Sequence, residues 1–265
     1  MNTTQQTSVR LDIPYLQSIR PHFEILCYGA KVFTPYFQSM LKWAAIAAHY
    51  QIQWSYNILA NESLITRARN MAAANFLTQE DTTHLIFIDV DQGFDPNHIL
   101  VLLNHRKDLI IAPVPLKTIP LTYNINAMVN ETIDPATGLL KVSRAGTGCM
   151  VIAREVLESL KKHPDIHQYE NDIKFNNDAG EIAQEHLYTY FNTGVITDEQ
   201  GKTRFMSEDY DFCEKYKDMG GTIWCDTRLK LTHMGMYEYG ADNIAYTEKM
   251  INERHNQVKT QEDTK

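Results

Sequence analysis

"LIFIDVDQGFDP", residues 85–96, decides how this chain folds. Four apolar residues, Leu85 to Ile88, run into two acids spaced i, i+2, Asp89 and Asp91, and a turn at Asp95-Pro96 follows. A short apolar run closed by turn residues reads as a buried strand, and the acids then stand at its carboxyl end. In extended backbone, residues i and i+2 point to the same side. Two carboxylates aimed together repel unless a cation or a proton lies between them. Two readings stand: both acids cap the turn ahead of a helix opening at Pro96, or they form an oxygen-ligand site for Mn²⁺ or Mg²⁺ bound together with substrate phosphates.

Upstream, "FEILCYGAKV" (23–32) reads as a strand that ends at Tyr28-Gly29, and "PYFQSMLKWAAIAAHY" (35–50) as an amphipathic helix opened by Pro35. "IQWSYNI" (52–58) is the next strand, and 61–77 has apolar residues at helical spacing without Gly or Pro. Downstream come the helix after Pro96 and a strand in "DLIIAPVP" (108–115). Strands alternating with helices imply βαβ units and an α/β, doubly wound, mostly parallel sheet. Ligands of such sheets sit at the carboxyl ends of the strands, where Tyr28, Gly29 and the two acids fall.

The pattern then changes. "GLLKVSRAGTGCMVIAREVLESL" (138–160) predicts strand, glycine-broken turn, strand and helix, and "HLYTYFNTGVITDEQGKTRF" (186–205) a hairpin around Asp198 to Gly201. "SEDYDFCEKYKDMG" (207–220) is a helix closed by Gly220-Gly221, and "TIWCDTRLKLTHMG" (222–235) returns as a strand. A single domain over 1–265 is expected. Its first half covers about 20–115, a smaller mixed second half about 116–250, and a polar tail about 251–265.

Composition bounds the function. The chain has 265 residues, 43% of them apolar and 22% charged, as in soluble globular proteins. No apolar run is long enough to span a bilayer, and "MNTTQQTSVR" lacks the apolar core of a signal peptide. A soluble, cytoplasmic protein is expected. Cys27, Cys149, Cys213 and Cys225 form no CxxC pair and read as buried thiols. A net charge of −8 argues against a broad surface for a nucleic-acid backbone.

Three further clusters carry possible chemistry. Glycines two apart in "GTGCM" (146–150) allow backbone to approach a ligand closely or mark a β-bulge. "SEDYDFC" (207–213) places Glu208 and Asp209 at a helix start, as dipole-stabilised caps or as catalytic acids. His233 lies at a strand end in "LTHMGMYEYG" (231–240), where a lone histidine is structural or a ligand.

"THLIFIDVDQGFDP" (83–96), preceded by "NESLITRARN" (61–70) and followed by "DLIIAPV" (108–114), resembles the nucleotide-sugar domain of GT-A glycosyltransferases with a DxD motif. Within that fold it is similar to the mannosyltransferase family typified by yeast mannan polymerase subunits and to related short transferases of viruses and bacteria. Thr66, Arg67, Ala68, Arg69 and Asn70 match that family's helix start upstream of DxD, and the likeness runs in motif order from residue 23 to residue 240. The resemblance implies a metal-dependent glycosyltransferase that takes sugar from a nucleotide-diphosphate sugar, UDP ahead of GDP, to a hydroxyl acceptor, with about 20–115 as the nucleotide-sugar-binding half and about 116–250 as the acceptor-side half.

By the same resemblance Asp91 and His233 hold Mn²⁺ or Mg²⁺, with Asp89 touching the ion directly or through water and ribose. Tyr28, Gly29, Arg67, Arg69, Asp89, Val90 and Gly148 face the donor, Arg67 being favoured over Arg69 for the diphosphate. Asp209 is the general base if the reaction inverts the anomeric centre, and Glu208 binds hydroxyls. Residues 163–204 match nothing in the family, and "HLYTYFNTG" (186–194) is expected to wall the acceptor. The acceptor is a carbohydrate or another hydroxyl, with a modified DNA base disfavoured by the charge. A virus-encoded enzyme acting in the host cytoplasm fits the likeness to short viral transferases. Two alternatives remain: a nucleotidyltransferase acting on a sugar phosphate, for which "CYGAKVF" offers one glycine where a phosphate loop needs several, and an inactive protein that binds sugar nucleotides.

Overall fold

The computed structural model describes residues 9–118, 120, 122–172, 184–197 and 201–235. The first eight residues, the tip of the 186–205 hairpin at 198–200 and the polar tail lie outside these residues, as does the end of "LTHMGMYEYG" from 236. The chain divides into two units, Met1–Met234 and Gly235–Lys265, and the first carries the sheet.

Among the described residues, twelve strands and six α-helices follow in chain order: α1 (Ile13–Ser18), β1 (Pro21–Cys27), α2 (Thr34–Tyr50), β2 (Ser55–Ala60), α3 (Ile65–Thr78), β3 (His84–Ile88), β4 (Gln92–Gly93), α4 (Pro96–Asn104), β5 (Leu109–Ile111), β6 (Ile125–Ala127), β7 (Leu139–Ala145), β8 (Cys149–Ala153), α5 (Arg154–Leu160), β9 (Gly194–Thr197), β10 (Thr203–Met206), α6 (Glu208–Asp218), β11 (Ile223–Asp226) and β12 (Thr232–His233). Eight of the strands form one sheet in the order β2-β1-β3-β8-β5-β11-β7-β6. β1 is parallel to β2 and to β3. β8 runs antiparallel between β3 and β5, so β3 and β5 share a direction, and β11 is parallel to β5. β7 is antiparallel to β11 and to β6. The sheet is therefore mostly parallel, with β7 and β8 reversed.

Side-chain alternation divides the core between the two faces of the sheet. Leu85 and Phe87 of β3 pack with Ala72, Ala73 and Phe76 of α3, Leu157 of α5 and Phe212 of α6. Ile86 and Ile88 pack on the other side with Trp43 of α2 and Ile99 and Leu103 of α4. All five residues of β3 are buried, as expected for a strand covered on both faces. The expected architecture, a doubly wound mostly parallel sheet with a smaller mixed region, is the one observed. All four cysteines are free and buried. Burial pushes the thiols of Cys149, Cys213 and Cys225 up to about 12, so they are inert packing groups.

The antiparallel entry of β8 positions the site. Cys149 at the start of β8 pairs with Ile88 at the end of β3, so the loop 146–148 meets the DVD corner, and Asp89 N–H donates to the Gly148 carbonyl at 3.0 Å. The chain after β1 closes over the same corner, with Phe33 N–H donating to the Val90 carbonyl at 3.0 Å.

Candidate active site

The DVD corner is held from three sides by backbone. Gln92 N–H turns back to the Asp89 carbonyl at 3.0 Å, and Met234 N–H donates to the Asp91 carbonyl at 2.7 Å. β12 pairs antiparallel with β4, His233 opposite Gln92, which lays the histidine beside Asp91. His233 Nδ1 is 2.7 Å from the Pro115 carbonyl. A carbonyl only accepts, so Nδ1 carries the proton and Nε2 turns its other side to Asp91 Oδ2, at 3.2 Å. A neutral Nε2 and a carboxylate oxygen are both acceptors, and their approach is favourable only with a cation or a proton between them. Imidazole anchored through Nδ1–H to a carbonyl is the arrangement that orients Nε2 as a metal ligand.

The donor set thus fits a divalent ion that accepts mixed oxygen and nitrogen ligands, Mn²⁺ more naturally than Mg²⁺. Among the described residues no three His, Cys, Asp or Glu side chains converge into a metal cluster. Asp91 and His233 would be the protein's ligands, leaving other positions to donor oxygens and water. Asp89 turns elsewhere: its Oδ1 accepts from Arg69 Nη2 at 3.4 Å.

Arg69 is the hinge of the arrangement. It is buried, its side chain 6% exposed, lies over the Phe87 ring at 5.2 Å, and also donates through Nε to Glu208 Oε1 at 3.3 Å. One guanidinium thereby ties the end of β3 to the start of α6. Arg67 takes a different path, bonding Glu62 twice, Nε to Oε2 at 2.7 Å and Nη2 to Oε1 at 2.8 Å. Burial raises the Glu62 carboxyl, but the Arg67 guanidinium and the Leu64 and Ser63 amides outweigh it and hold the group below its ordinary range. Arg67 clamps the chain entering α3, and Arg69 meets the DVD corner. Asn70, the last residue of the helix-start motif, exchanges a pair of bonds with the Phe191 backbone, at 3.0 and 2.8 Å.

Asp209 is nearly buried at the first turn of α6. Its Oδ1 accepts from the Ser207 hydroxyl and, at 2.8 Å, from Tyr210 N–H. Its Oδ2 faces the Asn124 amide at 3.5 Å. Ser207 occupies the N-cap position, yet its hydroxyl bonds Asp209 rather than the helix backbone. Asn124 Oδ1 in turn accepts from Tyr210 Oη at 2.5 Å.

Gly146 and Gly148 form the floor between the two acidic clusters. A Cβ at Gly148 would lie 3.2 Å from Asp89 Oδ2 and 2.5 Å from Gln92 Nε2, and one at Gly146 would collide with Asn124 and come to 3.4 Å from Asp209 Oδ2. The glycines therefore serve close approach rather than unusual backbone. At the end of β1, Tyr28, Gly29 and Ala30 form a single helical turn in which Gly29 has φ +71°. Tyr28 projects outward, 75% exposed. Three residues with one glycine do not make the backbone cradle of a phosphate loop.

Two features escape the sequence reading. Lys117, on the loop after β5, donates to Asp91 Oδ2 at 2.6 Å, and Asn124 touches Asp209; loop residues carry no periodicity to mark them. The aromatic wall expected at 186–194 is a core element instead. Tyr190 and Phe191 are fully buried, Phe191 stacking on Phe212 at 4.5 Å and meeting Phe87 edge-on. Large rings in a mixed polar segment are pulled inward by the area they bury.

No protein-family model matches the sequence, and comparison with curated proteins gives no match. Solved structures do resemble the fold. A197 from STIV aligns with a TM-score of 0.48 and 19% identity over 82% of this chain and 87% of that one. A crystal structure of GalNAc-T7 with UDP, GalNAc and Mn²⁺ aligns at 0.45 and 8% identity over 84% of this chain, which spans 45% of the other. A glycosyltransferase involved in glycosylation of the major capsid of PBCV-1 aligns at 0.28 and 10% identity over 55% of this chain and 68% of that one.

Proposed function

We propose that the chain is a glycosyltransferase of the GT-A type, moving a sugar from a nucleotide-diphosphate sugar, UDP-linked before GDP-linked, to an acceptor hydroxyl. The observation that carries the proposal is the joining, by the buried Arg69, of the DVD corner to the Glu208-Asp209 helix start over a glycine floor. A donor laid across that floor has its diphosphate at the DVD corner and its anomeric carbon toward α6.

Asp91 and His233 would hold Mn²⁺ or Mg²⁺, which when bound neutralises charge developing on the diphosphate. Asp89, oriented by Arg69, faces the ribose side of the donor. Tyr28 offers a solvent-facing ring to the nucleobase, and Gly29 and Val90 frame the same edge. In the inverting case, Asp209 Oδ2 takes the proton of the acceptor hydroxyl as that oxygen bonds the anomeric carbon. The bond from that carbon to the diphosphate breaks, and the nucleoside diphosphate departs with the electron pair. Ser207 and Tyr210 N–H fix Oδ1, which leaves Oδ2 as the oxygen that works. Glu208, held by Arg69, receives sugar hydroxyls.

The test is thermal unfolding with UDP and with GDP, each in Mn²⁺ and again in EDTA. A ligand at about a hundred times its Kd stabilises the native state by about 2.7 kcal/mol, so one nucleotide should raise the melting temperature only when metal is present. Asp91→Ala should remove that rise and donor turnover while leaving the unliganded melting temperature near wild type. No metal-dependent rise with either nucleotide overturns the proposal.

A further inference from the structure

The loop between β5 and β6 brings a positive charge to the metal position. Its base is a short antiparallel ladder: Pro115 bridges Tyr123, Leu116 N–H donates to the Thr122 carbonyl at 2.7 Å, and Asn124 N–H to the Val114 carbonyl at 3.3 Å. From the far end of that ladder Lys117, its side chain 45% exposed, reaches back so that Nζ lies 2.6 Å from Asp91 Oδ2. The same oxygen faces His233 Nε2 at 3.2 Å. A divalent ion held by Asp91 and His233 would draw on the same carboxylate. An ammonium and a divalent ion a few ångströms apart repel, so the two compete for Asp91.

We propose that Lys117 is an internal counter-ion for Asp91, that a divalent cation displaces it, and that the displaced ammonium then binds the donor diphosphate. The inference rests on the metal-and-donor reading above. Lysine suits the part: its charge is compact and rides on a flexible four-carbon stem, so it can leave one oxygen for another nearby. Arg69 is buried and bonded on both sides, so it cannot travel. Without nucleotide, metal binding must break the Lys117–Asp91 pair. With nucleotide, the freed ammonium gains diphosphate oxygens, and metal and nucleotide therefore favour each other's binding.

The experiment measures Mn²⁺ binding by electron paramagnetic resonance, without nucleotide, in wild type, Lys117→Met and Asp91→Asn. UDP and GDP are then titrated by calorimetry into the first two at saturating Mn²⁺. Lys117→Met should bind Mn²⁺ about fivefold more tightly, the scale of one half-exposed ion pair, and Asp91→Asn should lose binding. The preferred nucleotide should bind Lys117→Met about fivefold more weakly. Equal Mn²⁺ affinity in wild type and Lys117→Met, with loss in Asp91→Asn, overturns the competition and leaves the metal site standing. Tighter Mn²⁺ with unchanged nucleotide affinity overturns the transfer to diphosphate. No Mn²⁺ binding by either overturns this inference and the metal site together.

Discussion

Replacing Arg69 with methionine keeps the length and apolar stem of the side chain and removes its charge. The guanidinium bonds Glu208 at 3.3 Å and Asp89 at 3.4 Å, both longer than an ordinary charge-assisted bond, so each falls below the usual range for such bonds, at about 1 kcal/mol. Asp89 is 42% exposed, and solvent reduces its share to about 0.5 kcal/mol. Glu208 is 14% exposed and would keep a largely desolvated carboxylate without its partner, a further penalty of about 1 kcal/mol. Losing the contact over Phe87 adds about 0.5 kcal/mol. Arg69→Met should thus lower stability by about 2–3 kcal/mol, a fall in melting temperature on the order of 5–10 °C for a chain of this size. Urea unfolding of Arg69→Met, Glu208→Gln and the double variant gives the pair's own share, expected at about 1 kcal/mol of coupling. Arg67→Met, which breaks the Glu62 clamp, should destabilise without coupling to Glu208. Zero coupling between Arg69 and Glu208, or an Arg69→Met variant within about 0.5 kcal/mol of wild type, would refute the bridge.

Two other outcomes follow from the geometry. Gly148→Ala places a methyl 2.5 Å from the buried Gln92 amide and 3.2 Å from Asp89 Oδ2; overpacking should cost about 1–3 kcal/mol and cut transferase activity at least about tenfold, and wild-type activity would show that the floor does not touch the donor. Asp226 lies at the end of β11, where burial raises its carboxyl but Arg228 and His105 outweigh that and bring it from 3.8 to about 2. A depressed carboxyl stabilises the fold above its unfolded value and loses that contribution as the pH falls through its folded one. Asp226→Asn should therefore be about 2 kcal/mol less stable near neutral pH, and the gap should close between pH 3.8 and about 2; acid unfolding curves that stay parallel would contradict this.

What could be read from sequence follows from how local each signal is. β3 is legible because burial on both faces leaves an unbroken apolar run. α3 is legible from its periodicity, but its phase does not choose between the two arginines: Arg69 is in step with Ala72, Ala73 and Phe76 of one core cluster, and Arg67 with Met71 and Ala74 of another. The short helix α1 had a signal too, Asp12 capping Tyr15 N–H with proline in the first turn. β4 and β12, two residues each, carry none, because their pairing with each other is all that makes them strands. The same holds for Lys117 and Asn124, brought to the site by a loop whose path no single-chain periodicity encodes.

The reversed strand explains why these pieces converge. In an all-parallel sheet the chain would enter β8 at the edge opposite the DVD corner, and helices would separate the two acidic clusters. Running antiparallel between β3 and β5, β8 begins where β3 ends, so the three-residue turn at 146–148 becomes a floor with Asp89 at one end and Asp209 at the other. A Cβ at either end of that turn would run into Asn124 or Gln92, which is why glycine stands at both. The loop before β6 lies along the same edge and touches both clusters, Lys117 at Asp91 and Asn124 at Asp209. One short ladder therefore carries both the lysine at Asp91 and the amide that faces Asp209.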